Sequence, residues 1–373
     1  MKRPRNSAAN AAQRHDSKMR AATCGEDGLV WLSPWERPIR LEGMGWKTAD
    51  RAFRRMPLQP AWPLPKSVDD LAWHTAGVQA RFRTDSKRVC LRVKLRGVHA
   101  MDHMPATGES GFDAYIGDVG SETYAGTARF NRALDAYQVT LCSFPTAAMR
   151  TVTINFPLYQ GVHEVSIGIE EGARTTAAPK RAGHRPVVVY GTSITQGGCA
   201  SRPGMAYTNI LSRRIDCEFV NLGFSGSGRG EPEVAHVIAT LPPPALFVMD
   251  YEANCGGLAK MRETLPAFLA ILRKRWPRTP LLVVSRIAYA REAFAEAEHQ
   301  ARLERREFQR ETVARLRRAG DKAVAFFDGG ALLGEDFTEC SVDGVHQTDL
   351  GFLRMANGLE RTIRKLLTQP HAG

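Results

Sequence analysis

Five apolar runs recur through the second half of the chain, at 186–190, 217–221, 245–251, 281–287 and 323–328. Each precedes a segment with helical spacing, and helices are expected at 204–215, 231–240, 258–275, 291–318 and 348–367. A strand that is apolar at every position is buried on both faces, and such strands alternating with helices close into a parallel sheet covered on both sides. The pattern therefore predicts an α/β fold, a flavodoxin-like three-layer α/β/α domain built on a five-stranded parallel sheet. Ligands of such sheets gather beyond the carboxyl ends of the strands, so the residues just after each run are the candidates for chemistry.

Those residues form a coherent set. The run Val187-Val188-Val189-Tyr190 empties into Gly191-Thr192-Ser193-Ile194-Thr195-Gln196-Gly197-Gly198, a glycine-rich turn with a serine at its apex. A serine hydroxyl is a poor nucleophile until a base takes its proton and donors hold the oxyanion that follows. The second run ends in Gly223-Phe224-Ser225-Gly226-Ser227-Gly228, where backbone N–H groups can point at a ligand. The third delivers Glu252 and Asn254 just past its end, and Ser341-Val342-Asp343-Gly344-Val345-His346 places a carboxylate three residues before a histidine. A nucleophile, a base, an orienting carboxylate and two kinds of oxyanion donor are thus expected at one rim.

These blocks, in this order, resemble the SGNH (GDSL-like) hydrolases over residues 185–366, and within them a branch with an N-terminal β-sandwich (jelly-roll-like) domain. The resemblance implies a serine esterase with Ser193 as nucleophile, His346 as general base and Asp343 orienting the imidazole. It places the oxyanion hole at the N–H groups of Ser193 and Gly226 and at the side-chain amide of Asn254. Three positions depart from the family pattern. Thr192 stands where Gly-Asp-Ser has its aspartate, Ser227 where relatives often carry Asp or Asn, and Gln347 where proline is commoner. None of them removes a reacting group. The implied reaction is hydrolysis of short-chain esters, acetyl esters foremost, of small-molecule or oligosaccharide alcohols. Lysophospholipid or thioester hydrolysis, and a non-catalytic carbohydrate-binding protein with a relic site, are the alternatives.

Thr192, Cys199, Ser227, Glu252 and Arg286 are further candidates for substrate binding. Cys199 lies six residues past Ser193 but has no separate histidine partner in sequence, so it reads as pocket lining rather than as the nucleophile. Arg286 closes the fourth run and reads as an ion pair with Glu252 more readily than as an anion site. The ten histidines and seven cysteines show no His-x-x-x-His or Cys-x-x-Cys spacing, so neither a metal nor a cofactor is expected. Scattered cysteines, odd in number, argue against a disulfide framework and for a reducing compartment.

The first half reads differently. Val89 to Arg96 alternates apolar with mostly charged side chains, and further strands are expected at 77–83, 112–116, 137–142, 151–156 and 164–169, at sandwich-like intervals. Gly111-Phe112-Asp113-Ala114-Tyr115 resembles a Gly-x-Asp-x-Tyr pattern of the N-terminal domains in that branch; neither Asp113 nor Tyr115 is read as catalytic, and the strand-borne Tyr115 reads as packing, with lining of the substrate cleft as the alternative. The expected organisation is a disordered basic tail at 1–27, a sandwich at 28–183 whose segment 172–184 serves as linker, and a hydrolase domain at 184–373. The formal net charge is +12, and the stretch up to Arg20, with six basic residues and one acidic residue, carries five of those charges. Elsewhere arginine is not concentrated with stacking aromatics, so no specific nucleic-acid partner is expected. No signal-peptide core and no run of ~18 apolar residues is present, which predicts a soluble cytoplasmic protein. Nothing in the sequence specifies an oligomeric state.

Overall fold

The computed structural model describes residues 15–16, 28–47, 49–98 and 101–368. Of the expected tail at 1–27, all but His15 and Asp16 lies outside the described residues. The first half folds into strands β1 (Leu29–Leu32), β2 (Arg40–Glu42), β3 (Gln79–Thr84), β4 (Arg88–Leu95), β5 (Asp113–Ile116), β6 (Thr123–Thr127), β7 (Ala136–Ser143), β8 (Arg150–Asn155), β9 (Val162–Glu170) and β10 (Thr175–Ala177). They make two antiparallel sheets, β1-β9-β4-β7 and β10-β3-β8-β5-β6, with β2 sharing the edge of β3. Alternation explains the packing: Leu91, Val93 and Leu95 of β4 turn inward while Arg92 and Lys94 face solvent. The inward side chains meet Phe82, Leu141, Ile154 and Ile167 in one sandwich core.

The six strands expected here are present, within two residues at their ends. The short edge strands β1, β2, β6 and β10 are additional, being too brief to show a period. Two of these findings change the reading of segment 172–184, expected as a linker. Its β10 pairs with Phe82 to Thr84 of β3, and its Arg181 is buried, donating to Glu42 at 2.7 Å and to the Ser212 carbonyl at 2.7 Å.

The second half contains β11 (Val187–Gly191), β12 (Phe219–Gly223), β13 (Leu246–Asp250), β14 (Leu281–Val284) and β15 (Val324–Phe327), parallel and in the order β12-β11-β13-β14-β15. This is the flavodoxin-like order, with long helices on both faces. Helices α1 (Tyr207–Arg214) and α5 (Asp349–Thr368) cover one face through Ile210, Leu211, Phe352, Met355 and Ile363. The other face is covered by α2 (Pro232–Ile238), α3 (Leu258–Arg275) and α4 (Glu296–Arg318), through Val234, Ile238, Leu265, Phe268 and Val313. No helix among the described residues is long and apolar enough to cross a membrane.

Several expected elements come out shorter: the helix expected at 204–215 runs Tyr207–Arg214, that at 231–240 runs Pro232–Ile238, and two more are cut back by side-chain contacts. The fourth strand stops at Val284 rather than 287, because the Ser285 hydroxyl accepts from Gly329 N at 3.0 Å and the Arg286 N–H donates to Glu252 at 2.8 Å. The helix expected at 291–318 begins at Glu296. Before it lies a 3-10 turn, Ala290–Ala293, in which Glu292 accepts from Tyr289 N, Arg286 and Arg302 and holds the chain out of helical register.

Buried polar contacts join the two halves. The Asp113 carboxylate is fully buried and accepts from Arg202 at 2.8 Å, from Gly204 N at 2.9 Å and from Asn155 at 2.8 Å. Arg202 also donates to the Tyr115 hydroxyl, so the Gly-x-Asp-x-Tyr segment grips the loop that follows the serine turn. Arg55 is equally deep; it donates to the carbonyls of Leu71, His74, Asn221 and Gly223. Burial pulls its guanidinium down to about 9, which still leaves it a cation at neutral pH. Removing one member of a buried pair strands the other charge. Asp113→Ala is therefore expected to lower the unfolding free energy by about 3–5 kcal/mol, read from urea denaturation; a change within experimental error would show that this contact does not hold the halves together.

Candidate active site

Ser193 opens a single helical turn, Ser193–Gln196, at the carboxyl end of β11. Thr192 caps that turn, its side chain accepting from Ile194 N at 3.4 Å, and is itself buried. Below it, the Tyr159 hydroxyl from the sandwich donates to the Ser193 carbonyl at 3.1 Å. The His346 Nε2 stands 2.9 Å from Ser193 Oγ, and His346 Nδ1 stands 2.7 Å from an oxygen of Asp343. The other Asp343 oxygen accepts from the backbone N–H groups of Val345 at 2.9 Å and His346 at 2.7 Å. Partial burial pushes this carboxyl up, but the bonds from the His346 ring and from the two backbone N–H groups outweigh it and hold the pKa at about 2. A proton on the imidazole thus has an ionised partner across the neutral range.

The turn after β12 brings Gly226 to the same end, in the left-handed region at φ +65°, with open space where a Cβ would stand. Gln196 fixes that turn to the serine turn: its Oε1 accepts from Ser225 N at 3.0 Å while its Nε2 donates to the Leu158 carbonyl at 3.0 Å. Asn254 closes the 3-10 turn Glu252–Asn254 after β13, and its Oδ1 is buried with no hydrogen-bond partner.

A cavity of about 1060 Å³ begins at Gly226 and Asn254 and runs between Arg229, Lys260 and the start of α4. Glu252 and Arg286 form part of its wall, yet both are saturated. The Glu252 side chain is fully buried and accepts from Gln309 at 2.7 Å and Arg305 at 3.2 Å, while Arg286 pairs with Glu292 at 2.5 Å and lies 3.6 Å from Glu252. Thr192, Ser227 and Cys199 are buried and do not line this cavity. Burial and the charges of Asp343 and Asp102 push the Cys199 thiol up to about 12, which disfavours a thiolate nucleophile.

One histidine near the site has no sequence signature. His103, on the loop between β4 and β5, lies with its Nε2 4.0 Å from Asp343 and its ring centroid 5.7 Å from that of His346. Gln196 and Tyr159 likewise escape sequence reasoning, since a turn glutamine and a tyrosine past a strand look the same wherever they pack.

Two family models match the chain. The GDSL-like lipase/acylhydrolase family matches residues 184–364, and the N-terminus of SGNH-hydro-type esterase, whose signature is Gly-x-Asp-Leu-Tyr, matches residues 29–175. The chain belongs to the GDSL-like lipase/acylhydrolase family. This GDSL-like enzyme is an SGNH-type ester hydrolase that carries Ala114 at the leucine of the N-terminal signature. Among functionally curated proteins none matches it. It is similar to a solved structure described as a GDSL-like lipase from Bacteroides ovatus, with 27% identity, 91% of this chain and 98% of that chain covered, and a TM-score of 0.82. A salicylyl-acyltransferase from a tetracycline biosynthetic pathway shares 21% identity, over 93% of this chain and 100% of that one, with a TM-score of 0.73. A family two carbohydrate esterase from Cellvibrio japonicus shares 15% identity, over 91% and 98%, with a TM-score of 0.59. The last two show the shared fold.

Beneath the serine turn of this GDSL-like hydrolase lies a buried carboxylate, Asp250, at the end of β13. It accepts from Thr195 at 3.1 Å and from Tyr207 at 2.9 Å, but burial dominates and pushes it up to about 6. The sign follows. Between its ordinary value of 3.8 and about 6 the folded state holds a proton that the unfolded state has released, so this group makes stability fall as pH rises. Asp250→Asn keeps an acceptor for both hydroxyls and removes the charge. It is expected to stabilise the protein at pH 7 by up to about 3 kcal/mol, with the gain shrinking to near zero by pH 4. Urea midpoints of both proteins at the two pH values measure this, and an equal difference at both would refute it.

Proposed function

We propose that the protein is a serine esterase that removes short acyl groups, acetyl foremost, from carbohydrate-like alcohols through a Ser193-His346-Asp343 triad and an acyl-enzyme. The observation that carries the reading is the unbroken relay from Ser193 Oγ to His346 Nε2 at 2.9 Å and from His346 Nδ1 to Asp343 at 2.7 Å. His346 takes the hydroxyl proton as Oγ attacks the ester carbonyl, and the imidazolium returns it to the departing alcohol; water repeats the two steps on the acyl-enzyme. Asp343 orients the ring and stays ionised. The backbone N–H groups of Ser193 and Gly226 and the amide of Asn254 hold the oxyanion.

The shape of the site supports the substrate class. Ser193 is only 7% exposed, so the nucleophile sits recessed at the end of β11. The cavity that begins at Gly226 and Asn254 sets Arg229, Glu233, Lys260 and Arg305 among small apolar residues such as Ala253 and Ala297, and these polar groups support a hydroxyl-bearing alcohol as the substrate.

Ser193→Ala is expected to abolish labelling by a fluorophosphonate probe, and Asn254→Ala to keep the fold while lowering kcat by about 10²–10³. Rates on p-nitrophenyl esters of two to ten carbons and on acetylated oligosaccharides test the substrate class. Undiminished hydrolysis by Ser193→Ala would sink the nucleophile assignment, and faster turnover of the ten-carbon ester than of the acetate would sink the short-acyl reading.

A further inference from the structure

Beside the triad, and sharing its histidine, stands a second constellation whose other two members ester hydrolysis does not use. His103, Cys199 and His346 each offer a ligand atom, all within 4.8 Å of one another. Two are imidazoles and one is a thiol, the ligand types that zinc prefers. Both imidazoles already have a carboxylate on Nδ1: Asp102 is 3.0 Å from that atom of His103, and Asp343 is 2.7 Å from that of His346. A carboxylate there fixes the ring and leaves Nε2 with its lone pair, the outer arrangement that accompanies zinc-binding histidines. The two carboxylates also supply negative charge next to the position a cation would take.

We infer that His103, Cys199 and His346 form an inhibitory site for a thiophilic divalent cation such as Zn²⁺, which shuts the esterase by occupying its general base. In tetrahedral coordination, with Zn–N of about 2.0 Å and Zn–S of about 2.3 Å, neighbouring ligand atoms lie about 3.3–3.5 Å apart. The three side chains therefore close by about 1 Å on the metal, with solvent as the fourth ligand. His103 is the element that moves, since it is one-third exposed on a loop whereas Cys199 is packed. Binding releases the thiol proton to solvent, and no other bond changes. Ligation at either ring nitrogen of His346 disables it: at Nε2 it takes the lone pair that faces Ser193, and at Nδ1 it displaces Asp343.

Metal binding is independent of the proposed function, whereas inhibition rests on His346 being the base, so the experiment reads the two separately. Co²⁺ titrated into the full-length protein is expected to give tetrahedral d–d bands and a sulfur-to-cobalt charge-transfer band, the latter absent in Cys199→Ser. Zn²⁺ at micromolar concentration is expected to suppress fluorophosphonate labelling of the wild type at least tenfold, and a chelator to restore it. Cys199→Ser and His103→Asn, each referred to its own labelling in chelator, are expected to need about 10–100-fold more Zn²⁺. Failure of the wild type to label in chelator counts against the esterase reading alone. Absence of the cobalt charge-transfer band from the wild type, or equal zinc sensitivity in the wild type and both variants, overturns the metal site.

Discussion

The site depends on three neighbouring strands ending level. In the parallel register Gly191 of β11 lies opposite Gly223 of β12 on one side and Asp250 of β13 on the other. The turns that carry Ser193, Gly226 and Asn254 therefore leave the sheet at one height, and no long loop is needed to gather them. Close approach then demands small residues. A Cβ on Gly228 would stand 1.9 Å from the Gly191 carbonyl oxygen, so the second turn can fold against the first only because that position lacks a side chain. Gln196 stitches the two turns together once they meet. Preorganisation of this kind lets oxyanion donors act without reorganising during the reaction.

The sandwich is part of this arrangement. Arg55 reaches the carbonyls of Asn221 and Gly223, where β12 ends, and so steadies the strand that presents Gly226. Tyr159 holds the Ser193 carbonyl, and Asp113 holds Arg202 and Gly204 on the loop beyond the serine turn. These groups are buried, several are charged, and each would be costly to leave without its partner. Loosening the first half of the chain would thus expose unpaired charge and free the turns of the second half together. The Gly-x-Asp-x-Tyr segment, whose tyrosine reads from sequence as packing, is a polar clamp.

Much of this was legible in sequence wherever the signal is local. The parallel sheet followed from apolar runs and helical spacing, and Ser193, Asn254, Asp343 and His346 stood out because each falls just after a strand or in a short spaced motif. Features set by distant partners were hidden. β14 ends early because Arg286 turns toward Glu252, and the helix after it starts late because Glu292 binds Arg286 and Arg302. Neither choice is encoded in the propensity of residues 285–295 themselves. β10 pairs with the distant β3 within one sheet, and His103 approaches Asp343 from the other half of the chain. Contacts of that kind arise from the fold and have no periodicity to read.

The same distinction bears on how a substrate is recognised. Arg286 looks like an anion receptor because it ends a strand at the catalytic rim, yet its guanidinium is engaged by Glu292, by the Ile287 carbonyl and by nearby Glu252. A substrate anion would have to separate a buried pair, at a cost of about 3–5 kcal/mol, before gaining anything. The Glu252-Arg286-Glu292 cluster is therefore wall rather than receptor, its charges paired with one another. Recognition falls to groups that keep open valences at the mouth. Arg229 is one such group, since it lines the cavity and its side chain donates through Nε to the Gly226 carbonyl at 2.9 Å. That bond ends on Gly226, so Arg229 ties the mouth of the cavity to the turn after β12.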